Sequence, residues 1–190
     1  MYRKIVKLPE PQSYYLVNGV ATHSLAEQYL LGKIEKLPPV LGKFRKEFQT
    51  LLDAGAIPEE EYVLDKDWQL IPDGWKDNNA WLRLKLDARI DNFIVDFKTG
   101  KVYDDHIHQG RLYANVLMML HPEYDEVEVE FWYLNSGQVV GHRFDRRDLS
   151  DDIGNWHNRV LHLHTDTEFK PTPHEWCKYC YVKHLCTAYQ

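Results

Sequence analysis

The stretch that most constrains this 190-residue chain is 81–100, WLRLKLDARIDNFIVDFKTG. From Trp81 to Asp91 the residue types alternate without interruption. Leu82, Leu84, Leu86, Ala88 and Ile90 form one face; Trp81, Arg83, Lys85, Asp87, Arg89 and Asp91 form the other. A period of two over that length specifies a strand with one buried side. Asp91-Asn92 then supplies a tight turn, since Asx residues tolerate the positive φ that hairpin turns need. The return strand, 93–98, sends Phe93, Val95 and Phe97 to the core and Ile94, Asp96 and Lys98 to the opposite face. With this turn, Ile90 pairs with Phe93 and Asp87 falls opposite Asp96.

Two carboxylates across such a pair lie about 5 Å apart. At an effective dielectric of about 20 they repel by roughly 3 kcal/mol. That arrangement gains nothing structurally unless a cation sits between them, and Lys98 shares their face. The spacing therefore marks a polar sheet edge built around a cation, carrying Asp87, Asp96 and Lys98.

The rest of the chain frames this hairpin. A helix is expected over 18–32, where His23 and Glu27 are neighbours at i and i+4. After Pro38-Pro39 a second amphipathic helix has Leu41, Phe44, Phe48, Leu51 and Leu52 as its stripe, ended by Gly55 and Pro58. A strand is expected at 61–64. After the hairpin, Asp104-Asp105 reads as the cap of a helix reaching Leu120, stopped by His121-Pro122. Gln109 and Tyr113 share one face of it. Two strands follow, 127–133 and 139–144, joined at Ser136-Gly137, and then a helix over 149–164. This order predicts an α/β fold with a mixed central sheet flanked by helices.

Composition narrows the class. A net charge of −6 argues against a protein that coats nucleic acid generally, but leaves room for a local basic groove. The N-terminus lacks the apolar run of a signal peptide, and the run 113–120 is too short to span a membrane. A cytoplasmic or nucleoid-associated protein is expected. The three cysteines, Cys177, Cys180 and Cys186, lie in the last fourteen residues, a clustering that points to metal rather than disulfides.

Asp-x8-Asp-x-Lys on adjacent strands is suited to phosphodiester hydrolysis. Hard carboxylate oxygens favour Mg²⁺ or Mn²⁺, which polarise a phosphate and acidify a bound water. Lys98 can orient that water and offset the charge that builds on the phosphate. The Phe97 carbonyl, between the two site residues, is a further ligand candidate. This chemistry identifies a phosphate ester, not DNA in particular.

The motif set resembles the PD-(D/E)xK nuclease superfamily, and within it the RecB-like exonuclease branch, which includes phage recombination and CRISPR-adaptation nucleases. Asn18-Gly19-Val20-Ala21-Thr22-His23 with Glu27 is similar to the opening motif, whose histidine is a metal ligand. Asp87 looks like the second motif and Asp96-Phe97-Lys98-Thr99-Gly100 like the third. Gln109-Gly110-Arg111-Leu112-Tyr113 is similar to the Q-x-x-x-Y motif, which contacts DNA and supports the site. The Asp87–Asp96 gap is shorter than is usual in the family. Asp91 competes for the second-motif role, but falls in the turn. The resemblance implies a restriction-endonuclease-like fold over 1–190 as one nuclease domain: helices over 1–57, catalytic sheet and helix over 58–145, and a C-terminal helix and Cys-rich tail over 146–190. It implies metal ligands His23, Asp87, Asp96 and Phe97, with Lys98, Gln109 and Tyr113 completing the catalytic set.

Cys177-x2-Cys180-x5-Cys186 is similar to the C-terminal triplet of the iron–sulfur members, but the fourth cysteine found near the N-terminus of those relatives is absent. Zinc completed by His174 or His184, an iron–sulfur cluster with an unusual ligand, or an unmetallated triplet all stay open. In each case the tail is expected to be a structural staple. Lys85, Arg89, Lys101, Arg111, Arg143, Arg146 and Arg147 are candidate phosphate contacts. The implied activity is a Mg²⁺- or Mn²⁺-dependent deoxyribonuclease, with a recombination or replication protein as partner. A non-catalytic nucleic-acid-binding subunit and a structure-specific endonuclease are the alternatives.

Overall fold

A computed structural model describes Leu8 and residues 13–189; of His164 only the backbone is described. The chain divides into two compact units. One is Asn18–Ile153; the other consists of Gly154–Gln190 with Met1–Val17, so far as those are described.

The larger unit is built on a five-stranded mixed sheet in the order β1 (Ile57–Leu64), β2 (Leu82–Ile90), β3 (Phe93–Lys98), β4 (Glu126–Tyr133) and β5 (Gln138–Asp145). Only β3 and β4 run parallel. The hairpin forms as expected: Ile90 faces Phe93, and Asp91 takes a φ of 48° in the turn. Two expectations about it fail. The β2–β3 ladder ends at Ala88 and Val95, so Asp87 and Asp96 do not form the next pair. Beyond that point β3 continues its pairing with β4 as far as Lys98 and Tyr133. Nor is there a polar sheet edge, because β3 is the central strand. Ile94 and Asp96 are as buried as Val95 and Phe97, the signature of a strand covered on both faces.

Helix α1 (Tyr14–Leu30) and helix α2 (Arg45–Asp53) supply one cover. Ala26, Tyr29, Phe48 and Leu51 join Val95, Phe97 and Trp132 in one apolar cluster, in which the Phe48 and Phe97 ring centroids lie 5.1 Å apart. The expected second helix is divided: a 3-10 turn, Pro39–Phe44, precedes α2. Gly55, at φ 70°, ends α2 while the amides of Gly55 and Ala56 bond back to Leu52 and Leu51. Helix α3 (His106–Leu120) packs on β4 and β5 from the other side. Gly110 allows this close approach, since a Cβ there would lie 3.0 Å from Phe131 Cζ.

One helix start differs from expectation. Helix α1 begins four residues before Asn18, because Ser13 caps it, its Oγ accepting the Leu16 N–H at 3.1 Å. Asn18 and Gly19 lie within the helix, tolerated where Gly19 comes close to Thr99. Asp105 occupies the cap position of α3, but its side chain makes no capping bond.

Helix α4 (Leu149–Thr165) leads from the larger unit into the smaller. There Cys177 lies in a 3-10 turn, Glu175–Tyr179, that Cys180 ends, and Cys186 ends a second one, Lys183–Leu185. No described helix is long and apolar enough to cross a membrane.

Candidate active site

The hairpin and the two covering layers bring His23, Asp87, Asp96, Lys98, Gln109 and Tyr113 to the C-terminal end of β3. His23, from α1, places Nδ1 2.9 Å from Asp87 Oδ1. The other Asp87 oxygen accepts the Phe97 N–H at 2.6 Å. Asp87, not Asp91, is therefore the carboxylate beside His23. The described bonding of Phe97 at the site runs through its N–H.

A third candidate ligand is one that the sequence alone did not single out. Glu59 sits in β1 at the register position facing Asp87, between the pairs Pro58–Ala88 and Glu60–Leu86. His23, Glu59 and Asp87 offer ligand atoms all within 4.8 Å of one another. Glu59 has a φ of 55°, a conformation costing a non-glycine residue of the order of 1 kcal/mol. The only sequence signal was the acidic run Glu59-Glu60-Glu61, placed by the β1–β2 register. Lys85 partly balances it, 2.6 Å from Glu59 and 3.4 Å from Glu61.

Asp96 lies deeper. Its Oδ2 is 2.6 Å from Lys98 Nζ, an ion-pair distance, yet it is buried without an aligned hydrogen bond. Its Oδ1 accepts from the Tyr113 hydroxyl at 3.3 Å. Lys98 Nζ also donates to Gln109 Oε1 at 2.6 Å, and Gln109 Nε2 donates to the Tyr113 hydroxyl. The predicted Q-x-x-x-Y pair thus closes a ring of contacts around the lysine and the buried carboxylate.

The electrostatics favour a cation. Burial, then the Asp87 charge, push the Asp96 carboxyl up to about 6, against the opposing pull of Lys98 and His23. Burial alone would lower the His23 imidazole, but Asp87, then Asp96 and Glu59, outweigh it and raise the net value. An imidazole and two carboxylates, His23, Glu59 and Asp87, converge, while the buried Asp96 oxygen that lacks an aligned hydrogen bond lies outside that group. These residues fit a hard divalent ion, whose oxygen-rich preference they match.

Most of the basic phosphate candidates are engaged elsewhere. Arg89 is buried and pairs with both Glu60 oxygens. Arg111 pairs with Asp152 at 3.0 Å and lies over the Phe144 ring. Arg146 donates to the carbonyls of Met118, His121 and Tyr124, capping the end of α3. Lys85, Arg143 and Arg147 each pair with nearby carboxylates. Lys101 is exposed.

In the tail the cysteines are free. His174 caps the first turn: its Nδ1 accepts the Trp176 N–H at 3.3 Å, and its own N–H reaches Cys177 Sγ at 3.3 Å. Cys180 and Cys186 line a pocket with Phe169, Pro171, Val182 and Leu185. Among the described residues, no three ligand atoms of this tail lie within 4.8 Å of one another.

Fold and site together define a class: an α/β protein with a histidine–carboxylate–lysine centre suited to divalent-metal chemistry on phosphate. Residues 1–187 match the model of the PD-(D/E)XK nuclease superfamily. The chain belongs to that superfamily, whose members are typically nucleases that act on nucleic acid with divalent metals. No curated protein matches the chain. Among solved structures, the crystal structure of SSO0001 aligns over 92% of this chain and 99% of that one, at 12% identity and a TM-score of 0.36.

Proposed function

We propose that this protein is a Mg²⁺- or Mn²⁺-dependent deoxyribonuclease, an exonuclease working in recombination, repair or DNA processing in the cytoplasm or nucleoid. The observation that carries this reading is the convergence of His23, Glu59 and Asp87 beside the buried Asp96–Lys98 pair. His23, Asp87, Asp96 and the Phe97 carbonyl would hold the metal, with Glu59 added to them. When bound, the ion polarises the phosphate and acidifies the attacking water. Lys98, held between Asp96 and Gln109, orients that water and offsets negative charge as it builds on the phosphate. Tyr113 donates to Asp96 and keeps its carboxylate turned toward the site. The exonuclease assignment rests on the resemblance of the ordered motifs to the RecB-like branch. The cysteine triplet supports a structural zinc, or less economically an iron–sulfur cluster, in the smaller unit. A recombination or replication protein is the partner expected of such an enzyme.

The test is a nuclease assay on linear, single-stranded and covalently closed DNA, and on RNA, with elemental analysis of the purified protein. Mg²⁺- or Mn²⁺-dependent degradation of linear DNA, stopped by EDTA, is expected. Cutting of closed circles would replace the exonuclease with an endonuclease. Tight binding without cleavage under any metal would make the protein a non-catalytic subunit.

A further inference from the structure

Beside Lys98 lies an imidazole that neither the metal group nor the Lys98–Gln109–Tyr113 ring uses. His106 is the first residue of α3, and its Nδ1 is 2.6 Å from the Tyr133 hydroxyl. Tyr133 is the register partner of Lys98 across β3 and β4 and is 1% exposed. The ring of His106 stacks on Tyr133 at 5.8 Å and 26°, leans on Phe131 at 5.8 Å, and meets Tyr103 edge-on at 5.7 Å. Lys98 Nζ stands 5.4 Å from the centroid of the same Phe131 ring. The imidazole is thus clamped by three aromatic rings next to the lysine, yet it is only half-buried.

The Tyr133 phenol is a stronger proton donor than a neutral imidazole, so in the pair at 2.6 Å the hydroxyl donates to His106 Nδ1. The ring proton then sits on Nε2, which has no hydrogen-bond partner among the described residues. Burial, then the nearby Lys98 charge, lower the imidazole, keeping it neutral at neutral pH. A neutral N–H donor can stand beside Lys98 without repelling it. A fixed donor without a described partner, next to a cation, is a site for an anionic oxygen.

We propose that His106 Nε2–H is a substrate-binding donor to a phosphate oxygen of the nucleic-acid strand held at Lys98. This rests on the nuclease reading above. It adds a contact from the start of α3 to the set on β2, β3 and the middle of α3. Tyr133 is its positioning residue.

The experiment measures KM and kcat for a labelled single-stranded oligonucleotide and its duplex with Mn²⁺, for the full-length protein and three variants. His106→Ala should raise KM roughly 10- to 100-fold, the range for a hydrogen bond to a charged group, with kcat changed far less. Gln places an amide N–H near the position of Nε2, so His106→Gln should recover most of the loss. Asn reaches only the position of Nδ1, so His106→Asn should restore the bond to Tyr133 without restoring KM. A purely structural role predicts the opposite: rescue by Asn, failure of Gln, and a lower melting temperature with KM unchanged. Either that pattern, or an unchanged KM in His106→Ala, overturns the inference while leaving the nuclease reading intact. If His106→Ala does not fold, the Gln–Asn comparison still decides. A wild-type protein that cuts no nucleic acid under any metal removes the nuclease reading, and this inference with it.

Discussion

The backbone N–H of Phe97 donates to Asp87 Oδ2 at 2.6 Å just beyond the last β2–β3 pair, Ala88 with Val95. The side chain of Asp87 thereby occupies a place that a backbone carbonyl would hold in a continued ladder. Its other oxygen faces His23. One residue ties the end of the hairpin together and points a carboxylate into the site.

Replacing Asp87 separates those two roles. Asp87→Ala leaves the Phe97 amide without its acceptor and should cost about 1–3 kcal/mol of stability. Asp87→Asn keeps an acceptor oxygen and should cost much less. Both variants should lose metal-dependent cleavage. Urea denaturation beside the nuclease assay checks this; equal destabilisation by Ala and Asn would remove Asp87 from the ladder role.

Glu59 combines a strained backbone with a place beside His23 and Asp87. Its φ of 55° suits glycine better than any residue with a Cβ. Glu59→Gly should therefore be more stable than Glu59→Ala by about 1 kcal/mol, while both bind Mn²⁺ more weakly than the wild type. Calorimetric titration with Mn²⁺ and thermal melts of the pair test it. Undiminished Mn²⁺ affinity in both would exclude Glu59 from the metal set.

The pH dependence of the metal-free protein has a defined sign. Asp96 has a folded pKa of about 6 against its ordinary 3.8, so the folded state holds that proton more tightly than the unfolded chain. Stability from this group is present at acid pH and is lost as pH rises through about 6. His23, raised above 6.5, acts in the same direction: its contribution is full below 6.5 and disappears as pH rises through the folded value. In EDTA the melting temperature should fall as pH rises from weakly acid to neutral. Mn²⁺ should offset the fall at neutral pH, since its binding displaces these protons. Asp96→Asn should flatten the acid part of the slope; an unaltered slope in that variant would assign the effect elsewhere.

Arg89 tests the reassignment of the basic residues. Its guanidinium is paired with Glu60 and bonds to the Asp91 carbonyl. Arg89→Ala strands a largely buried Glu60 and should cost up to about 3 kcal/mol. The salt dependence of nucleic-acid affinity should stay as in the wild type, because no phosphate contact is lost. A shallower salt slope with unchanged stability would return Arg89 to the nucleic-acid interface.

Much of the fold was legible in the sequence because the relevant patterns are local. Alternation from Trp81 to Lys98 determined both strands of the hairpin, their turn and their register at Ile90 and Phe93. The spacing of Gln109 and Tyr113 put both on one helical face, and the order of the motifs pointed to the family and to His23. Other features depended on which segments meet. That β3 is central, and Asp96 therefore buried, followed from its parallel pairing with β4, more than thirty residues away. Glu59 came to stand beside His23 and Asp87 only through the β1–β2 register, and its unusual φ left no mark in composition. Arg89, Arg111 and Arg146 read as free cations until their partners came from other elements. Residue types and periodicities determine which side chains are available and which face they share; the tertiary pairing decides which charges find partners on other elements and which, like Asp96 beside Lys98, are buried at the site.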